Sequence, residues 1–104
     1  MIKVGVVGAT GYAGEEVIKI LINHKGVEIT ELSAVIEKEE PISSIFPVFK
    51  GRLDLICHKP DPDKMAKSVD IVFLALPHKV SMDIAPIFLK AKKAVIDLSA
   101  DYRL

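Results

Sequence analysis

The stretch Gly8-Ala9-Thr10-Gly11-Tyr12-Ala13-Gly14 constrains this chain more than any other. It follows an apolar run, Val4-Gly5-Val6-Val7, and leads into an amphipathic segment from Glu15 to His24. Strand, glycine-rich turn, helix is the order in which a backbone can cradle a pyrophosphate. The three glycines have separate jobs. Gly8 permits a tight exit from the strand, because a residue without Cβ reaches backbone angles that others avoid. Gly11 lets the backbone come close to a phosphate, and Gly14 lets the first helical turn lie against the strand. The helix adds unpaired N–H groups and the positive end of its dipole. The competing reading is a plain strand-to-helix turn with no ligand.

The rest of the chain repeats the alternation. Ile2 to Val7 is apolar on both faces, as a strand covered on both sides is. Val17, Ile18, Leu21 and Ile22 form one helical stripe, and Lys25-Gly26 reads as its stop, with Gly26 in the left-handed position. A second strand spans about residues 28–35. Residues 37–44 are polar and broken by Pro41, which predicts a loop, and residues 45–49 predict a short helical turn on the sheet edge. A third strand lies within residues 53–58. Asp61-Pro62 reads as an N-cap with proline at the first helical position, opening a helix that runs to Ser68. Residues 70–76 are the clearest buried strand, followed by a helix over 81–91 that Pro86 kinks or delays, and a last strand over 94–98. Lys90, Lys92 and Lys93 gather at that helix's C-terminal end, where cations are favoured. The pattern predicts an α/β fold: a doubly wound parallel sheet of about five strands with helices on both faces.

Composition narrows the function. The chain has 104 residues, enough for one domain and one core, and 50% of them are hydrophobic. Fourteen basic residues balance fourteen acidic ones, so charge provides no reason to expect nucleic acid or an anionic membrane. The longest strongly apolar run, residues 71–76, is too short to cross a bilayer. No signal-peptide pattern precedes the first strand, and a single cysteine fits a reducing compartment, so a cytoplasmic protein is expected.

Three stretches are expected to meet at the C-terminal edge of the sheet: the glycine loop, residues 76–81 and residues 99–103. His78 could donate to a phosphate or a substrate oxygen, or could be a polar residue in a strand-to-helix turn. Ser81 reads as an N-cap rather than a nucleophile, because no histidine or acid is placed to activate it. Arg103 could clamp a carboxylate or phosphate through two hydrogen bonds, with Asp101 orienting it. Cys57 sits beside His58, but neighbours in a strand point to opposite faces, so a small buried side chain is the expected role. His24, His58, His78 and Cys57 show no metal-ligand spacing, and no metal is expected. The ribose of a dinucleotide is read roughly twenty residues past the glycines. There Ser33 could hydrogen-bond a 2′-phosphate and Lys38 could neutralise it.

The glycine loop, Phe73-Leu74-Ala75-Leu76-Pro77-His78 and Asp97-Leu98-Ser99-Ala100-Asp101-Tyr102-Arg103-Leu104 together resemble the N-acetyl-gamma-glutamyl-phosphate reductases. Aspartate-semialdehyde dehydrogenases share the glycine loop but are the weaker match at Ala100-Asp101. The resemblance covers the whole chain and implies a Rossmann-type domain, residues 1–104, that is part of a longer enzyme. It implies an NADPH-dependent reduction of N-acetyl-gamma-glutamyl phosphate to N-acetylglutamate semialdehyde in arginine biosynthesis, with NAD as the alternative cofactor. Gly8, Thr10, Gly11, Tyr12, Ala13, Gly14, Ser33, Lys38, Leu76, Pro77 and His78 would bind cofactor. Ser99, Asp101 and Arg103 would bind the acyl-phosphate substrate.

In that family a cysteine of an Asn-Pro-Gly-Cys motif attacks the acyl phosphate, and hydride then reduces the thioester. That motif is absent here, so no catalytic residue is expected in this chain and Cys57 does not inherit the role. The family's oligomer-forming domain is likewise expected outside these residues, with the full-length protein a homo-oligomer. Val35 replaces a usual arginine, Lys79 a usual glycine, and His24-Lys25 a common His-Pro. Two other readings remain: a lysine-pathway aminoadipyl-phosphate reductase, and a stand-alone dinucleotide-binding or redox-sensing module.

Overall fold

The computed structural model describes residues 1–98. Its centre is β1 (Ile2–Val7), whose residues from Val4 onward are buried because helices cover both faces. β1 pairs in parallel with β2 (Val27–Ser33) on one side and with β5 (Ile71–Leu74) on the other. Outside these lie β4 (Ile56–His58), parallel to β2, and β6 (Ala94–Asp97), parallel to β5. A two-residue strand, β3 (Glu40–Pro41), closes the β4 edge in antiparallel fashion, so the sheet order is β3-β4-β2-β1-β5-β6. Among the described residues the expected doubly wound sheet is present, with one short antiparallel strand added to the five parallel ones.

The added strand corrects the expected loop over residues 37–44. Pro41 has no N–H for a ladder, which restricts it to an edge strand such as β3. Ile42 then buries fully, its N–H bonded to the Leu55 carbonyl at 2.8 Å, and opens α2 (Ile42–Ile45). A 3₁₀ helix, Pro47–Phe49, follows as expected and buries Phe49 completely.

Each face of the sheet has its own core. Val4 and Val6 pack with Val17, Ile18 and Leu21 of α1 (Tyr12–Ile22). Val7 packs on the other face with Met65 and Val69, at α3 (Pro62–Ser68), and with Phe88 of α4 (His78–Lys90). Gly5 lies in that second face for a reason the apolar run concealed. A Cβ there would stand 2.8 Å from Met65 Sδ and 3.1 Å from Val69 Cγ1, so α3 approaches β1 only because position 5 has no side chain.

Both long helices start three residues before the expected point. Gly11 caps α1 with extended angles (φ −83°, ψ 170°), and its carbonyl takes the Glu15 N–H at 2.9 Å. Pro77 caps α4, and its carbonyl takes the Ser81 N–H at 3.0 Å. Ser81 is therefore inside the first turn and fully buried, not an N-cap, and its Oγ has no hydrogen-bond partner among the described residues. Pro86 sits within α4 on an exposed position, where the loss of one backbone bond is tolerated rather than delaying the helix. The Asp61 cap forms as expected, with Oδ1 accepting the Lys64 N–H at 3.2 Å.

The left-handed stop is not at Gly26. α1 ends at Asn23 (φ −91°), whose N–H reaches the Ile20 carbonyl while the His24 N–H reaches that of Leu21, and the Gly26 N–H donates to His24 Nδ1 at 3.0 Å. The positive-φ helix stop belongs to Lys92 (φ 63°), after α4. The Lys92 N–H reaches the Leu89 carbonyl and the Lys93 N–H the Phe88 carbonyl, each at 2.9 Å, which is a Schellman closure without glycine. A side chain in that conformation costs about 1–2 kcal/mol, part of which the greater unfolded-state freedom of glycine offsets. Lys92→Gly is therefore expected to raise stability by about 0.5–1 kcal/mol in chemical denaturation. A loss of stability would show that the Lys92 stem contributes more than its backbone angle costs.

Candidate dinucleotide site

The strand order reverses between β1 and β5, and ligands of such sheets bind beyond the C-terminal ends of the strands at that point. The glycine loop stands there. The N–H groups of Gly8 and Ala9 both donate to the Ser33 carbonyl, at 2.8 and 3.0 Å, which pins the loop to the end of β2. Gly8 has φ +86°, and a Cβ on it would lie 2.3 Å from the Ala75 carbonyl oxygen. A Cβ on Gly14 would lie 2.3 Å from the Gly8 carbonyl oxygen and 2.8 Å from Ala9 Cα. These two glycines are required by the protein's own packing.

Gly11 differs. A Cβ there would meet only the Gly8 carbonyl oxygen, at 3.7 Å, an ordinary contact. The residue is exposed, its backbone angles suit any amino acid, and it caps α1 without a side chain. Nothing in the fold demands glycine at this position, so the open space above it suits a ligand that must touch the backbone. Glycine at the cap also leaves the first-turn N–H groups uncovered by any capping side chain. The loop fits a dinucleotide pyrophosphate on both counts.

The loop faces the end of β5. Gly11, Tyr12 and Ala13 share a cavity of about 280 Å³ with Ala75, Leu76, Pro77 and Leu98. Two of the three expected stretches are thus brought together. Ser99, Asp101 and Arg103 lie outside the described residues. His78, the first residue of α4, is exposed and does not line this cavity.

Thr10 and Lys38 line a second cavity of about 520 Å³ with Ile36, Glu37, Glu40 and Ile45. Ser33 is not in it. Ser33, 2% exposed, borders a third cavity of about 340 Å³, so the structure does not bring Ser33 and Lys38 together. The third cavity is walled by the β4–α3 connection, with His58, Lys59 and Lys64 among its residues. Nothing local in the sequence marks Lys59 or Lys64, and only the pairing of β2 with β4 sets them and His58 beside Ser33.

Cys57 and His58 diverge as expected. Cys57 is fully buried, and burial, followed by the charges of Glu39 and Glu40, pushes its thiol up to about 11. His58 is exposed and turns to Glu39, with Nδ1 3.3 Å from Oε1. The Lys59 N–H donates to the other Glu39 oxygen at 3.0 Å, and these two partners hold the Glu39 carboxyl below its usual range. A buried, protonated thiol without an imidazole is not a nucleophile. Among the described residues no group of three acidic, histidine or cysteine side chains could hold a metal. No helix among them is long and apolar enough to cross a membrane.

The chain resembles characterised proteins in both sequence and fold. The N-acetyl-gamma-glutamyl-phosphate reductase of Citrifermentans bemidjiense is 49% identical over all 104 residues, and that of Nitrosococcus oceani is 44% identical. The chain spans 30% of the length of each. Among solved structures, the aspartate semialdehyde dehydrogenase of Candida albicans with NADP superposes with a TM-score of 0.80 at 27% identity. It covers 98% of this chain, which spans 30% of that one. The scyllo-inositol dehydrogenase of Lactobacillus casei, with NAD(H) and scyllo-inositol bound, shares the fold at a TM-score of 0.72 and 21% identity. It covers 93% of this chain, which spans 27% of it. The family described as semialdehyde dehydrogenase, NAD binding domain, matches residues 3–104. With that match over nearly its whole length, and a glycine loop set at the switch point of the sheet, the chain belongs to the semialdehyde dehydrogenase NAD-binding domain family.

Proposed function

We propose that this chain is the dinucleotide-binding domain of an N-acetyl-gamma-glutamyl-phosphate reductase, which reduces its acyl phosphate with NADPH to N-acetylglutamate semialdehyde in arginine biosynthesis. The observation that carries the reading is end-to-end similarity, at 44–49% identity, to reductases of that name. The opposition of the glycine loop to Leu76 and Pro77 in one cavity supports it. Gly8 and Gly14 shape the loop, and Gly11 with the first-turn N–H groups of Tyr12 and Ala13 holds the pyrophosphate. Thr10, Leu76, Pro77 and His78 border the bound cofactor. Ser99, Asp101 and Arg103 bind the acyl phosphate.

When bound, the nicotinamide supplies the hydride. This chain's part is to bind and orient it, because Cys57 is buried and protonated. The nucleophile and the oligomer-forming surface belong to the roughly seventy per cent of the relatives' length that lies outside these residues. The complete protein is a cytoplasmic homo-oligomer acting on a small molecule, without nucleic acid or membrane.

The 104-residue polypeptide is expected to quench or shift the fluorescence of NADPH on binding and to leave N-acetyl-gamma-glutamyl phosphate unreduced. Turnover by these residues alone would overturn this division of labour. Failure to bind either NADPH or NADH would overturn the dinucleotide reading itself.

A further inference from the structure

β2 ends where the glycine loop stands, and residues 34–39 carry the chain from there to β3. This connection has two sides. Ile36, Glu37 and Lys38, with Glu40 of β3, border the cavity that Thr10 of the glycine loop also lines. Glu39 is not among them and borders the cavity at the ends of β2 and β4 instead. One residue of the connection thus reaches away from the glycine loop while its neighbours stay beside it.

The connection has few tethers. The Ala34 N–H donates to the His58 carbonyl at 3.0 Å, and at the other end Glu40 and Pro41 pair with β4. Ile36 packs against the core of the α1 face. In between, the hydrogen bonds that residues 35–39 make among the described residues are those of the Glu39 carboxylate. Its Oε2 accepts the Lys59 N–H at 3.0 Å, and Oε1 stands 3.3 Å from His58 Nδ1, so it grips two consecutive residues at the end of β4. The Lys59 N–H and then His58 keep the carboxyl below its usual range, so it stays ionised where imidazole gains its proton. The other charged groups around this pair are Glu31 of β2, Glu40 of β3, Lys59, Asp61 and Lys64. Asp61 is engaged in capping α3.

We propose that Glu39 is a positioning residue for the dinucleotide: by gripping His58 and the Lys59 N–H it holds residues 36–38 beside Thr10 and raises affinity for the cofactor. The inference rests on the dinucleotide reading above and adds a residue that acts without touching the ligand. Protonation of His58 makes its bond to the carboxylate charge-assisted on both sides, so the grip tightens as pH falls through the histidine range.

Fluorescence titration at about pH 6 and about pH 8, on either side of that range, tests it. NADH is the probe for the pH comparison, because it lacks the phosphate monoester that titrates at about pH 6. Glu39→Ala is expected to weaken binding about two- to fivefold at the lower pH, the size of one exposed ion pair, and less at the higher. Glu39→Gln retains an acceptor for the Lys59 N–H, so it should match wild type at the higher pH and fall behind at the lower. His58→Ala should show the same split, and adding it to Glu39→Ala should cost nothing further, because the two act as one unit. Binding by all three single variants equal to wild type at both pH values would overturn the inference. So would a loss in Glu39→Ala that is the same at both. If the wild type binds neither NADH nor NADPH, the dinucleotide reading fails with it; if it binds and the variants match it, only this inference fails. Both side chains are exposed, and thermal unfolding of each variant reports its fold. Should Glu39→Ala unfold, the pH split in Glu39→Gln and His58→Ala decides.

Discussion

Gly8→Ala is expected to destabilise the protein by about 3 kcal/mol or more, a large part of the 5–15 kcal/mol that holds an ordinary domain together. Two separate costs add. The backbone at residue 8 is left-handed, at φ +86°, where an L side chain is strained by about 1–3 kcal/mol. The new methyl would also stand 2.3 Å from the Ala75 carbonyl oxygen, well inside van der Waals contact. Neither side can retreat cheaply. The Gly8 N–H is bonded to the Ser33 carbonyl at 2.8 Å, and the Ala75 N–H to the Val7 carbonyl at 2.9 Å. The clash is therefore relieved only by separating β1 from β2 or β5. Denaturant unfolding measures it, and a loss below about 1 kcal/mol would show that the loop is softer than its hydrogen bonds imply. Gly14→Ala carries a related reversal. Alanine is the better helix former by about 1 kcal/mol, yet it should destabilise here because its methyl would meet the Gly8 carbonyl oxygen.

Gly11→Val should do the reverse: leave the fold standing and remove the cofactor. Its backbone angles are those of an ordinary extended residue, and the added Cβ finds nothing nearer than 3.7 Å. The stability cost is the poorer N-cap, about 1 kcal/mol. A branched side chain over the loop, however, occupies the space through which a pyrophosphate reaches the backbone N–H groups. Affinity for NADPH and NADH alike is expected to fall on the order of 100-fold, which is about 2.7 kcal/mol. Titration of wild type and variant side by side decides it. Equal binding would remove the glycine loop from the site, whereas loss of binding together with loss of fold would place Gly11 with Gly8 and Gly14.

Much of this was legible along the chain because it depends on neighbouring residues. Val4 to Val7 followed by three glycines at spacing three dictates strand, turn and helix, since each step concerns angles and contacts within a few residues. Asp61-Pro62 encodes its own cap, and the alternation of a strand separates Cys57 from His58. The same locality explains the misses. Gly26 looked like a helix stop by composition, but α1 closes at Asn23, and the helix stop with a left-handed residue is at Lys92, where the Lys93 N–H closes back on the Phe88 carbonyl. Ser81 looked like a cap because Pro77 was counted as turn, yet a proline carbonyl can open a helix as well as a side chain can.

The amino-acid sequence by itself therefore determined the order of elements, the parallel sheet and the position of the phosphate loop, all products of short-range periodicity and backbone freedom. Tertiary structure alone decided which glycines the protein's own packing requires and which it leaves free, because that depends on Ala75, sixty-seven residues from Gly8 in the chain. It also decided that Gly5 makes room for Met65, and that Ser33 shares a cavity with Lys59 and Lys64 rather than with Lys38. Such convergence is set by strand register and by how helices lie on the sheet, and the sequence states neither at the residues concerned.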